Sequence, residues 1–115
     1  MSEMSADATG ESELRLENTT FLYFMERCRA VTQHWFDENG AWPLDTQIAH
    51  AHSEVSEVYQ AIRHNEGRFK MLEEICDAVL ASLTMAHVAG FHDDEIVNAM
   101  EYTLQKIERR AGLRP

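Results

Sequence analysis

At 115 residues the chain is long enough for one domain with a modest core. Twenty acidic residues against ten basic ones give a formal net charge of -10. That balance excludes the basic stripe needed to track a nucleic-acid polymer and favours cations as partners.

Residues 1–17 are polar and aperiodic and read as a flexible N-terminal tail, leaving 18–115 as the folded domain. Met1–Asp7 has no apolar run of the signal-peptide kind, and no stretch has the length and apolarity of a membrane span. The first helix is predicted from Thr20 to Asp37, with Phe21, Phe24, Met25, Cys28, Val31 and Trp35 at helical spacing. Asn39-Gly40 ends it, and Trp42-Pro43 makes a turn. The second runs from Asp45, taken as its N-cap, to about His64, with Ile48, Ala51, Val55, Val58, Tyr59 and Ile62 as its apolar face.

A polar break, His64-Asn65-Glu66-Gly67, leads to the third helix, predicted from Arg68 to Ala89 and stopped by Gly90. From Ile75 to Ala89 it is apolar on nearly every side and must be covered all round. The fourth starts after Asp93 and reaches Arg110, with Ile96, Val97, Met100, Leu104 and Ile107 on one face. No strand pattern intervenes. The expected fold is all-α, a four-helix-bundle-like domain whose apolar third helix is completed by a second copy, a homodimer or homotetramer. Leu83, Val79 and Tyr59 are the expected contacts. Cys28 and Cys76 fall on apolar helix faces, outside any zinc spacing, and are expected as buried reduced thiols of a cytoplasmic protein.

The chemistry lies in two acidic pairs. Glu54 with Glu57, and Glu74 with Asp77, each have i,i+3 spacing, so each pair shares one helix face. Folding back at the polar break brings Glu57 level with Glu74 and Glu54 level with Asp77. Four carboxylates at one depth repel one another unless a cation joins them. Hard oxygen donors suit Mg²⁺, with Mn²⁺ as a substitute. Asp77 sits inside the apolar stretch, where an unpaired charge is costly. A di-iron scheme lacks its Glu-x-x-His motifs, and no HExxH, P-loop or GxSxG motif is present. Trp35 is a candidate to stack on a base or else a core tryptophan of the first helix's apolar stripe, and His50 either supports Glu54 or is an ordinary exposed histidine.

Glu54-Val55-Ser56-Glu57 followed by Glu74-Ile75-Cys76-Asp77 resembles the ExxE and ExxD motifs of the MazG-like all-alpha nucleoside triphosphate pyrophosphohydrolase superfamily. The run from Trp35 through Trp42-Pro43 to His52-Ser53 resembles that family's approach to its first motif. The resemblance implies Mg²⁺-dependent cleavage of a nucleoside triphosphate to monophosphate and pyrophosphate. Glu54, Glu57, Glu74 and Asp77 would hold metal, and Glu57 would help activate water. Lys70, and Lys106 with Arg109 or Arg110, would be substrate contacts; the plain alternatives are a surface ion pair of Lys70 with Glu74 and basic residues favoured at a helix C-terminus. Two departures stand out: Ser53 replaces a glutamate that many members carry before the first motif, and Lys106-Ile107 replaces a Lys-Asn step. Glu108-Arg109-Arg110-Ala111-Gly112 resembles the C-terminal region of a relative, phosphoribosyl-ATP pyrophosphohydrolase, which gives the alternative enzyme reading. A non-catalytic bundle that binds nucleotide or protein is the alternative from another class.

Overall fold

The computed structural model describes residues 20–40 and 42–115. The predicted tail at 1–17 lies outside the described residues. Four helices make up the described chain: α1 (Phe21–Asn39), α2 (Leu44–Arg63), α3 (Arg68–Val88) and α4 (Asp93–Arg110). None is long and apolar enough to cross a membrane.

Each boundary has a local cause. Thr20 opens α1, its Oγ1 accepting the Tyr23 N–H at 3.4 Å. Gly40 closes it at φ 80, with its N–H on the Phe36 carbonyl at 2.7 Å. The N-cap of α2 is Pro43, not Asp45. Asp45 lies in the first turn, where its charge complements the helix dipole without bonding a free N–H. The turn between α2 and α3 needs two left-handed residues, Asn65 at φ 52 and Gly67 at φ 101. At α4 the Glu95 carboxylate accepts the His92 N–H at 2.8 Å.

The hairpin of α2 and α3 is the main packing unit, and α1 packs across α3 and α4. Where α1, α3 and α4 meet, Met25, Leu83 and Ile96 form a small buried core, flanked by Cys28, Ala86 and Val97. The same junction is tied by charge. Asp93 receives Arg29 Nε at 2.7 Å on one oxygen and faces His87 Nε2 at 3.1 Å on the other. Sequence reasoning missed this bracket, because the three residues come from three helices with no shared spacing.

The packed seam of the hairpin is not the apolar face expected from periodicity. On α2 the inward row is Gln47, Ala51, Glu54, Val58 and Ala61, in alternating four- and three-residue steps. On α3 it is Met71, Glu74, Ala78, Ala81 and Met85. Both rows are rich in alanine, which lets the backbones approach closely. The large apolar residues lie outside. Ile48, Val55, Tyr59 and Ile62 of α2 are half exposed, as are Leu72 and Val79 of α3. Within one chain only Ala81 and Leu83 among the apolar residues of α3 are buried, so the other three helices leave much of it uncovered. Leu83 belongs to the internal core and is not free for a subunit contact, whereas Val79 and Tyr59 are. Cys28 is half-buried and Cys76 exposed, so the expectation of two buried thiols holds for neither. Burial, opposed by Arg27 and reinforced by Asp93, still pushes the Cys28 thiol above its usual range.

Candidate metal centre

Glu54 and Glu74 take positions in the hairpin seam that an apolar residue would otherwise fill. Glu74 is buried and Glu54 half-buried, while Glu57 sits one turn on at the exposed rim. One oxygen from each of these three carboxylates lies within 4.8 Å of the other two. Two come from the ExxE segment and one from the ExxD segment, so the close approach of α2 and α3 builds the group.

Asp77 stands differently. Its carboxyl is exposed rather than buried in an apolar sheath, and it falls outside the tight group of three. Its pKa is nonetheless raised: partial burial contributes most, then the negative charges of Glu74 and Glu73, with Lys70 opposing. A hydrogen bond with Glu74 adds to the rise, so Asp77 touches the cluster while lying outside its tight group of three.

Two basic side chains brace the group, each one turn before the leading carboxylate of its pair. His50 Nε2 lies 3.2 Å from Glu54 Oε2, and Lys70 Nζ lies 3.1 Å from Glu74 Oε2. Lys70 also reaches Glu73 Oε1 at 3.4 Å. The donor set consists of hard carboxylate oxygens in excess of nearby positive charge, which fits Mg²⁺ or Mn²⁺ and offers no soft ligand.

Glu54 and Asp77 also line a cleft of about 630 Å³. Trp35 and Trp42 line it as well. Trp35 is 46 % exposed there, so it is not the core tryptophan that its place on the α1 stripe permits. Trp42 is fixed by two contacts: its ring meets Phe36 edge-on, with centroids 4.8 Å apart, and its Nε1 donates to Gln47 Oε1 at 3.1 Å. Gln47 in turn donates from Nε2 to the Ala81 carbonyl at 3.0 Å. Gln47 went unnoticed in the sequence, though it stands four residues before Ala51 and seven before Glu54, on the row that proves to be the seam.

Of the other sequence candidates, Lys106 and Arg109 lie on α4, and neither lines this cleft. Lys106 Nζ rests 5.7 Å from the centre of the Tyr102 ring on its own helix. Comparison with known proteins finds no family model that matches the chain, no similar curated protein and no similar solved structure.

Proposed function

We propose that this chain is a Mg²⁺-dependent nucleoside triphosphate pyrophosphohydrolase of the MazG-like kind, cleaving a (d)NTP to the monophosphate and pyrophosphate. The observation that carries the reading is the convergence of Glu54, Glu57 and Glu74 within 4.8 Å, from two motifs on two helices. A cleft lined by both Glu54 and Asp77 and by Trp35 and Trp42 supports it, since a nucleotide has one anionic end and one flat aromatic end.

In this reading Glu54, Glu57 and Glu74 would hold the cation, with Asp77 beside them at the cleft. Bound Mg²⁺ supplies charge neutralisation on phosphate oxygens and a more acidic water. His50 fixes the Glu54 carboxylate from one turn away. Glu57 has no ion-pair or hydrogen-bond partner among the described residues, so the oxygen it does not give to the cation would be open to orient water and accept its proton. Trp35, half exposed at the cleft, would stack on the base.

The reading includes self-association. Val55, Tyr59, Ile62, Ile75 and Val79 form an exposed apolar strip on the outer face of the α2–α3 hairpin. A second hairpin laid on that strip gives a four-helix core and a homodimer, with a dimer of dimers as the larger assembly.

The test is a panel of nucleoside triphosphates with Mg²⁺, scored for pyrophosphate against orthophosphate. Pyrophosphate release that disappears in EDTA and in Glu57→Gln is expected. Undiminished activity in EDTA, or no cleavage of any nucleotide, rejects the proposal.

A further inference from the structure

The buried member of the acidic group already has a cation. Glu74 has a side chain only 10 % exposed, yet Lys70 reaches its Oε2 at 3.1 Å from the solvent side, with 45 % of the lysine side chain exposed. A carboxylate in that position is costly without a counter-charge, because the seam offers little water to solvate it. Lys70 is the only Lys or Arg paired with any of the three clustered carboxylates among the described residues. It is also poorly committed: the same Nζ divides itself between Glu74 and Glu73, and its long stem leaves it free to move.

We propose that Lys70 is an exchangeable counter-ion of the metal centre: its ammonium neutralises Glu74 when no divalent ion is bound and yields that carboxylate when one arrives. This rests on the metal reading above and adds a consequence to it. Lys70 and the divalent ion draw on one carboxylate, so their interactions with it oppose each other. The lysine thereby sets how tightly the centre holds metal and limits charge repulsion in the metal-free chain. Glu73 gives the displaced ammonium a second partner one residue away, on the rim and outside the tight group. On α2 the corresponding brace is His50 on Glu54, without a lysine. The two halves of the centre thus differ, and the exchange belongs to the α3 half.

The experiment is Mn²⁺ titration by calorimetry on the full chain at low ionic strength, comparing wild type with Lys70→Gln, Lys70→Met and Lys70→Arg. Removing the positive charge is expected to tighten Mn²⁺ binding by about three- to tenfold, the scale of one charge acting on a divalent ion near a protein surface. Lys70→Arg keeps the charge and is expected to bind within about twofold of wild type. The gain in the neutral variants is expected to shrink with added NaCl, which a purely structural role would not produce. Unchanged or weaker Mn²⁺ binding in both neutral variants overturns the exchange while leaving the metal centre intact. Failure of Mn²⁺ to bind wild type and variants alike overturns the metal centre itself, and with it this proposal.

Discussion

Gln47 Nε2 donates to the Ala81 carbonyl across the α2–α3 seam at 3.0 Å, while its Oε1 accepts the Trp42 indole N–H at 3.1 Å. One buried side chain thus joins the hairpin to the wall of the cleft. Gln47→Leu is expected to destabilise the fold by about 2 kcal/mol, because it leaves the indole N–H without its acceptor and the seam without its cross-helix bond. Urea unfolding measures this, and Trp42 fluorescence should report a looser indole. An unchanged midpoint and spectrum would show that the bridge contributes nothing.

Metal should act on stability as well as on catalysis. Glu54, Glu57 and Glu74 repel one another without a cation, so a divalent ion that binds only the folded chain stabilises it by mass action. At a hundredfold excess over Kd the gain is about 2.7 kcal/mol. Melting temperature is expected to climb with MgCl₂ beyond an NaCl control of equal ionic strength, and Glu74→Gln should abolish the difference.

Asp77 supplies a pH dependence with a defined sign. Its pKa lies above the ordinary 3.8, through burial first and then the charges of Glu74 and Glu73. Ionising Asp77 is therefore harder in the folded chain than in the unfolded one. The stabilising contribution of its protonated form is complete below the ordinary carboxylate value and is lost as pH rises through the raised one. In EDTA, Asp77→Asn is expected to be more stable than wild type near neutral pH. That advantage should vanish at about pH 3, where both side chains are uncharged. Parallel stability profiles for the two proteins would count against the shift.

The Asp93 bracket predicts how α4 is held. Asp93→Ala removes the partner of Arg29 and leaves His87, whose side chain is 3 % exposed and whose Nδ1 is already unpaired, with no hydrogen bond. A loss of about 2 kcal/mol is expected. Hydrogen exchange should place the loss in α4 and the end of α3, sparing the α2–α3 seam. Uniform loss of protection along the chain would contradict that assignment.

The outward strip on the hairpin predicts assembly. Light scattering at micromolar concentration is expected to give at least a dimer mass. Val79→Lys should shift that mass towards the monomer, since it puts a charge on a residue 52 % exposed in the single chain. A monomeric wild type with full activity would remove self-association from the functional reading.

Much of the fold was legible because helix periodicity and breaker residues are local signals. The predicted helices match α1 to α4 within a few residues, and Gly40, Gly67 and Gly90 mark breaks at positive φ. The pairing of Glu54 with Glu57, and of Glu74 with Asp77, on shared faces is likewise a property of spacing alone. Burial was less legible. Ile48, Val55, Tyr59 and Ile62 are apolar at helical spacing, and a pattern of that kind says that a face wants covering without saying what covers it.

What the amino-acid sequence determined by itself is four helices, a hairpin at His64–Gly67 and two carboxylate pairs placed to meet across it. Tertiary structure decided which carboxylates meet. The rotation of α2 against α3 is set by the small residues Ala51, Ala61 and Ala81 in the seam, and it carries Glu54 and Glu74 inward with them. Glu57 then completes the group at the rim, and Asp77 turns to the cleft. On α2 the seam row passes through Ala51, Glu54 and Val58 and leaves Glu57 at the rim; on α3 it passes through Glu74, Ala78 and Ala81 and leaves Asp77 outside, so one member of each pair enters the seam. Which member does so depends on close packing between two helices, and spacing within one helix does not contain that information.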